Sequence, residues 1–315
     1  MLRLISNITL VLSALTVLLY YGPYLKYRWV FSMLIELLPY LSSVALLSFV
    51  LVLLLPILRK QRLRVLLATL LLVICWAPVL SWVGLPSPGI SPEGIRVMTY
   101  NLWIDNPKVD DIEQSIRHEN PDILFLSEIT QATMDNLTSR LDYLHSYRTT
   151  GGGNALFSRY PILEAATDDF GVKTRGRTFN LVAKLQIANE TVTLIGVHPP
   201  IPILRNFFHI RNHQLDTLID ASRKLDGKLI VLGDFNAAPW SPYFKRFEQQ
   251  SQLQNAGRGH WIWATWYFNQ TLKTRYIKIP IDHIMSRGFT PLKAWTGMTG
   301  GSDHKPVITV LKPLS

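Results

Sequence analysis

Three apolar runs, residues 4–20, 30–58 and 65–85, crowd the first third of this 315-residue chain. A helix of about 20 residues crosses a hydrocarbon core, and the runs are of that order or longer. A secretory signal has a shorter apolar region and a small-residue cleavage site, whereas two further runs follow the first one here. The expectation is a membrane domain over residues 1–85 with three transmembrane helices. The segment RKQRLR, residues 59–64, carries four positive charges, and the first connection offers only Lys26 and Arg28. The more basic loop stays cytoplasmic, so everything after the third run lies outside. That predicts an integral membrane protein of a bacterial inner membrane, with its larger part on the periplasmic or extracellular side. Pro39 and Pro56 interrupt the second run, and Glu36 is expensive at membrane depth, which favours an interfacial position for it.

The single cysteine, Cys75, lies in the third run, so the chain can form neither an intramolecular disulfide nor a cysteine metal cluster. The formal net charge of +10 divides evenly between the first 95 residues and the rest. A mild positive balance of this kind suits a phosphate-bearing or membrane-apposed substrate and lacks the concentrated basic stripe expected of a nucleic-acid binder.

Three prolines and three glycines in GLPSPGISPEG, residues 84–94, forbid continued helix, and residues 86–94 read as a linker. Beyond it, residues 95–315 alternate strands and helices. IRVMTYNL and DILFLSE are apolar runs of strand length with a helical pattern over 109–118 between them. TFNLVAKLQI and TVTLIGVH flank Ala188-Asn189-Glu190 as a hairpin. A long amphipathic helix over 205–224 precedes the strand KLIVLGDF, a second helix near 241–250, and the strand-like RYIKIPIDHIMS and KPVITVL. Alternation mixed with hairpins argues for sheets packed between helices.

Polar residues punctuate the ends of these strands. Asn101 ends the first, Glu128 the second, and His198 the return strand of the hairpin. Asp234 and Asn236 follow KLIVLG, Asp282 and His283 interrupt IPIDHIMS, and Asp303 and His304 precede the last strand. Singly, each has an ordinary explanation as a turn residue, a helix cap or a packed histidine. Together they supply carboxylates and an amide for a hard cation, and histidines for proton transfer and phosphate contact.

In order and approximate spacing, MTYNLW, FLSEI, GVHPP, LGDFNAAP, IDHIM and GSDHKPV resemble the signature of the endonuclease/exonuclease/phosphatase superfamily of metal-dependent phosphoesterases. The resemblance covers residues 95–311. It implies a four-layer α/β sandwich, two mixed β-sheets face to face with helices outside, as a catalytic domain over 95–315. It also implies Mg²⁺, with Mn²⁺ a possible substitute, held by Glu128, Asn101 and Asp303. Asp234 and Asn236 then face them, the acid to orient or deprotonate water and the amide to hold a phosphoryl oxygen. His304 is the implied general base, oriented by Asp282, and His198 donates to a non-bridging phosphoryl oxygen. Families of this kind are described with either the Asp of GDFN or the final His removing the proton, and both remain open here. General-base assistance supplies about 10²- to 10⁴-fold, so charge neutralisation must supply more.

Trp103 stands where many nuclease members carry a second acid or amide, which points toward lipid and phosphatase types. The aromatic stretch HWIWATWYF, residues 260–268, reads either as a core strand or as an aromatic rim at a bilayer surface. PPIPILRNFF, residues 199–208, is unusually apolar for a loop beside a catalytic histidine and reads as a lipid contact. The expected activity is hydrolysis of phosphate ester or pyrophosphate bonds, and the expected partner a phosphate-bearing, lipid-linked substrate in the bilayer, a phospholipid or a polyprenyl pyrophosphate. An anchored nuclease acting on nucleic acid is the enzymatic alternative, and a catalytically silent receptor or scaffold is the third reading.

Overall fold

The computed structural model describes residues 93–315 except 105, 152, 171, 173–179, 261, 263, 268–276 and 315; of the first 92 it describes 28–40, 62–83 and scattered positions within 4–18 and 42–50. The chain divides into two units, residues 1–84 with 240–242, and residues 85–239 with 243–315. The linker expected at 86–94 lies outside the described residues apart from Glu93 and Gly94.

In the first unit, helix α1 spans Arg28–Ile35 and α2 spans Arg62–Val83. Among the described residues no helix is long and apolar enough to cross a membrane. This corrects the expectation of three transmembrane helices, and with it the inner-membrane location with a periplasmic or extracellular catalytic domain. The second apolar run begins as α1, only 8 residues long. It then tightens into i→i+3 bonds, Leu37 N to Leu34 O at 3.1 Å and Tyr40 N to Leu37 O at 3.0 Å, around Pro39. Glu36 sits in that turn with its side chain buried. Helix α2 starts on Arg62 and Arg64 and contains Pro78, which removes a ladder donor. The first run, 4–20, falls largely outside the described residues.

The second unit runs β1 (Ile95–Asn101), α3 (Val109–Glu119), β2 (Ile123–Ser127), α4 (Gln131–Arg140), β3 (His145–Arg148), β4 (Ala155–Ser158), β5 (Ile162–Asp168), β6 (Asn180–Ile187) and β7 (Glu190–Val197). It continues through α5 (Arg205–Lys224), β8 (Lys228–Asp234), α6 (Pro242–Ser251), β9 (Gln254–Asn255), β10 (Trp266–Tyr267), β11 (Lys278–Ile279), β12 (Asp282–Arg287), β13 (Phe289–Thr296) and β14 (Val307–Pro313). Two six-stranded mixed sheets result, ordered β13-β14-β1-β2-β4-β3 and β5-β6-β7-β8-β12-β9, with β10-β11 as a separate ribbon.

Side chains alternate faces along a strand, so each sheet has a helix side and an inner side. Met98, Tyr100, Leu124 and Leu126 join Ile112, Ile116, Met134 and Leu137 of α3 and α4 in one core. Ile195, Val197, Leu229 and Val231 join Leu215, Leu218, Phe244 and Phe247 of α5 and α6 in another. The opposite parity, Val97, Thr99 and Asn101 on β1 and Ile230, Leu232 and Asp234 on β8, faces between the sheets. Gly196 lets them approach there, since a Cβ on it would lie 2.0 Å from the Phe125 ring. The order is helices, sheet, sheet, helices: the expected α/β sandwich.

Strand direction decides where the inner polar residues end up. β1 and β2 are parallel, with Asn101 opposite Ser127, and β7 and β8 are parallel, with Val197 opposite Gly233. Their C-terminal ends therefore lie at one rim. β12 is antiparallel to β8 and begins at that rim, with Asp282 opposite Asp234. β14 is antiparallel to β1, with Val307 opposite Thr99, so residues 303 and 304 arrive beside Asn101.

Candidate active site

One carboxylate oxygen, Asp234 Oδ2, sits at the middle of the polar residues gathered on that rim. Asn101 Nδ2 donates to it at 3.2 Å and Asn236 Nδ2 at 3.4 Å, while His304 Nε2 lies 3.7 Å away and His198 Nε2 3.8 Å away. Asn101 Nδ2 also donates to Glu128 Oε1 at 3.0 Å, and His198 Nε2 is 3.5 Å from the same oxygen. Asp282 Oδ2 is 2.9 Å from His304 Nδ1. Seven of the eight residues given a site role from the sequence thus form one contiguous group. The eighth, Asp303, borders it and binds the Trp266 indole N–H at 3.0 Å.

Local backbone makes these positions possible. Gly233 has φ +141°, and a Cβ there would lie 1.9 Å from the Val197 carbonyl oxygen, so only glycine admits the strand geometry that delivers Asp234. Trp103, Glu128 and Asn236 are non-glycine residues in the left-handed region, at φ 60°, 56° and 48°. Such conformations cost about 1–3 kcal/mol each and persist where neighbouring bonds hold them. The Ile104 N–H binds Glu128 Oε2 at 3.1 Å, Asn101 Oδ1 accepts from Trp103 N at 3.0 Å, and Asn236 N donates to Asp234 Oδ1 at 2.8 Å. Asn236 Nδ2 donates to the Pro199 carbonyl at 3.0 Å, joining the loop after β7 to the loop after β8.

Four further residues support the group and were given no role from the sequence. Thr265 Oγ1 accepts from Ile281 N at 2.9 Å and from Asp282 N at 3.0 Å. Ser302 Oγ donates to Asn101 O and accepts from His304 N, at 2.8 and 2.9 Å. Trp266 bridges to His304 as an isolated antiparallel pair. Arg211, fully buried on α5, donates from Nη1 to the Asn236 carbonyl at 2.8 Å. Ser302 was within the quoted GSDH motif; Thr265 and Trp266 lay in the aromatic stretch, and Arg211 was one cation on an amphipathic helix.

Electrostatics differentiate the acids. Burial would raise the Glu128 carboxyl, but His198, the Asn101 amide, the Ile104 N–H and His304 together hold it below its ordinary value. Burial, reinforced by Asp282, pushes Asp234 up to about 8, and burial also raises Asp303. Burial opposes charge on His304, yet Asp282, Asp234 and Asp303 outweigh it and raise that imidazole to about 10. His198 is lowered by burial.

His283 takes the other parity. It packs 4.2 Å from Phe244 and its Nε2 donates to the Ala237 carbonyl at 2.9 Å, which leaves Nδ1 to accept from Asn255 Nδ2 at 3.3 Å. Burial holds it down to about 4, so it is a neutral core histidine.

The donor set suits a hard divalent cation: it is rich in oxygen, and Asp282 Oδ1 is buried with no hydrogen-bond partner among the described residues. Asp234, Asp282 and His304 offer ligand atoms within 4.8 Å of one another. In that trio His304 Nδ1 already engages Asp282. Glu128 is held in its ionised form, with Asn101 bonded to it.

Two facing mixed sheets with carboxylates, amides and imidazoles on one rim define the class of α/β-sandwich, metal-dependent phosphoesterases. The pattern of the endonuclease/exonuclease/phosphatase family matches residues 98–304, and the chain belongs to that family. A UPF0294 protein of Vibrio vulnificus (strain YJ016) is 35% identical over 97 residues, 30% of this chain and 31% of that protein. A UPF0294 protein of Vibrio campbellii (strain ATCC BAA-1116) is 28% identical over 137 residues, 41% of this chain and 43% of that protein. The match therefore spans less than half the length of these curated relatives. Among solved structures, D. rerio TDP2 complexed with single strand DNA product has a TM-score of 0.58 at 17% identity, covering 70% of this chain and 99% of that one. Sphingomyelinase C from Streptomyces griseocarneus has a TM-score of 0.54 at 16% identity, covering 69% and 99%. At these identities the likeness is one of fold.

Proposed function

We propose that this chain hydrolyses phosphate esters with a divalent cation, Mg²⁺ or Mn²⁺, and that residues 95–315 are its catalytic domain. The observation that carries this reading is the ring of Asn101, Asn236, His198 and His304 around Asp234 Oδ2, with Glu128 bonded through the same Asn101 amide. Glu128, Asn101 and Asp303 would hold the cation, which when bound neutralises phosphoryl charge and acidifies water. His198 and Asn236 donate to non-bridging oxygens as charge builds on them. The Asp234–His304 pair titrates as a unit and holds its protons to high pH; the form that has lost one of them, favoured beside a bound cation, would take the proton of the attacking water. Asp282 fixes the His304 ring through Nδ1 and stabilises its charged form.

The substrate in this reading is lipid-linked. Its support is the segment leading directly away from His198, where Ile201, Ile203 and Leu204 are 41%, 51% and 54% exposed. An aliphatic surface of that kind beside a phosphoryl site suits an amphiphilic ester. The experiment is an assay panel of lipid phosphates, nucleotides and plasmid DNA under Mg²⁺ with chelator controls. Metal-dependent release of phosphate from lipid substrates, lost in Glu128→Ala and His304→Ala, is the expected result. Cleavage of DNA with no lipid turnover overturns the lipid-linked reading and favours a nuclease. Absence of turnover across the panel overturns the enzymatic reading and leaves a binding scaffold.

A further inference from the structure

A cavity of about 750 Å³ opens beside the catalytic rim, and Asp303 belongs to both. Its lining includes three lysines, Lys108, Lys278 and Lys305, and two aromatic side chains, Trp103 and Tyr267. Lys278 Nζ and Lys305 Nζ lie 5.3 and 5.8 Å from the Tyr267 ring centroid, which draws two ammonium groups to one wall. Against three cations the lining carries two acids, Asp111 and Asp303. Asp111 pairs with Lys108 at 3.6 Å, and Asp303 accepts the Trp266 indole N–H.

The wall is continuous with the catalytic strand. Tyr267 N donates to Asp303 O at 3.0 Å, Lys305 N to Thr265 O at 2.6 Å, and Trp266 pairs across to His304. Alternation along this extended segment sends His304 into the catalytic group and its neighbours Asp303 and Lys305 toward the cavity. A group bound there is therefore one residue away from the phosphoryl site. The volume lies within the range of small-ligand pockets and exceeds what a single phosphate fills.

We propose that this cavity receives a second phosphate of the substrate, held by Lys278 and Lys305, so that the preferred substrates are diphosphates or bisphosphates over esters with a single phosphate. The inference rests on the phosphoesterase reading for what happens at the first phosphate. The chemistry recognised is a phosphate group adjoining the scissile one, whether a nucleotide or a lipid carries it.

Isothermal titration of the full chain in EDTA, with ADP and separately with geranyl diphosphate, reads the cavity without turnover. The expected result is salt-dependent binding of at least one probe, weakened about tenfold in the Lys278→Gln/Lys305→Gln protein, retained in the double arginine variant, and unaltered in a Lys224→Gln/Lys312→Gln control, whose two lysines are exposed and outside the cavity lining. The arm that binds identifies the carrier, and binding in both arms supports the shared chemistry. Failure of both probes to bind at millimolar concentration overturns the proposal. So does equal affinity in the glutamine variant, or equal weakening in the Lys224→Gln/Lys312→Gln control, which would make the effect one of net charge alone. With Mg²⁺ present, the KM advantage of diphosphate over monophosphate esters disappears in the glutamine variant. Binding that follows this pattern with no hydrolysis removes the catalytic reading alone, whereas hydrolysis with no such binding pattern removes the cavity assignment alone.

Discussion

His304 carries a charge that its burial opposes and its acidic neighbours favour. Its folded-state value, about 10, lies above the ordinary 6.5. The stabilisation, chiefly from Asp282, is therefore complete below pH 6.5 and is lost as the pH rises through about 10. Urea melts of metal-free protein are expected to show that decline in wild type and a flatter profile over the same window in His304→Gln; identical slopes contradict the assignment. Arg211 acts one step further out, as a positioning residue. It holds the Asn236 carbonyl and lies 5.8 Å from the ring centroids of both Phe208 and Tyr243. Replacing it with methionine keeps much of the volume but drops the bond that secures a left-handed Asn236. A loss of about 3 kcal/mol in denaturant melts is expected, from removal of a buried charged hydrogen-bond donor. Turnover should fall about tenfold, with partial rescue by lysine, which restores a donor. A stable, fully active methionine variant contradicts this role.

At the scale of the element, the distance between the two sheets is set where Gly196 of β7 meets Phe125 of β2. An added Cβ would overlap that ring, and neither strand can retreat without moving a catalytic end: His198 follows β7 and Glu128 follows β2. Gly196→Ala is expected to cost about 1–3 kcal/mol by overpacking and to lower turnover through displacement of those two residues. Phe125→Leu in the same chain makes room and should recover part of both losses. A double-mutant cycle reads that coupling, and strict additivity would show that the two side chains do not set the spacing.

On the scale of the whole molecule, the rim concentrates acids that the fold alone does not neutralise. Asp234 and Asp303 are both raised above their ordinary value, so the folded state loses stability as the pH rises above 3.8 and they are forced to ionise. A bound divalent cation reverses that cost by favouring the ionised forms, and its binding releases protons. Mg²⁺ is therefore expected to raise Tm more at pH 8 than at pH 5, with EDTA abolishing the difference, as followed by scanning calorimetry. Equal shifts at both pH values would contradict a cation seated among these acids.

The sequence by itself determined the parts with strong periodicity and the residues that interrupt it. The amphipathic segment expected over 205–224 is helix α5 with those bounds, and the hairpin expected at Ala188-Asn189-Glu190 joins β6 to β7. Strands β3, β4, β5 and β13 and helix α4 had no comparable signal: β3 and β4 are 4 residues each, β5 is half solvent-facing, and β13 carries Pro291. RYIKIPIDHIMS read as one strand but splits at Pro280, which cannot donate to a ladder, into β11 and β12. The apolar excess of the first 85 residues suggested membrane spans that no described helix provides. The eight polar residues were legible because burial makes a charged or amide side chain at a strand end conspicuous. Their mutual geometry was not: the bond between Asp282 and His304, the backbone clamp of Thr265 and the reach of Arg211 depend on strand direction, register and the face each side chain takes. Those are decided when two sheets close on each other, since only then do residues distant in the chain share one rim.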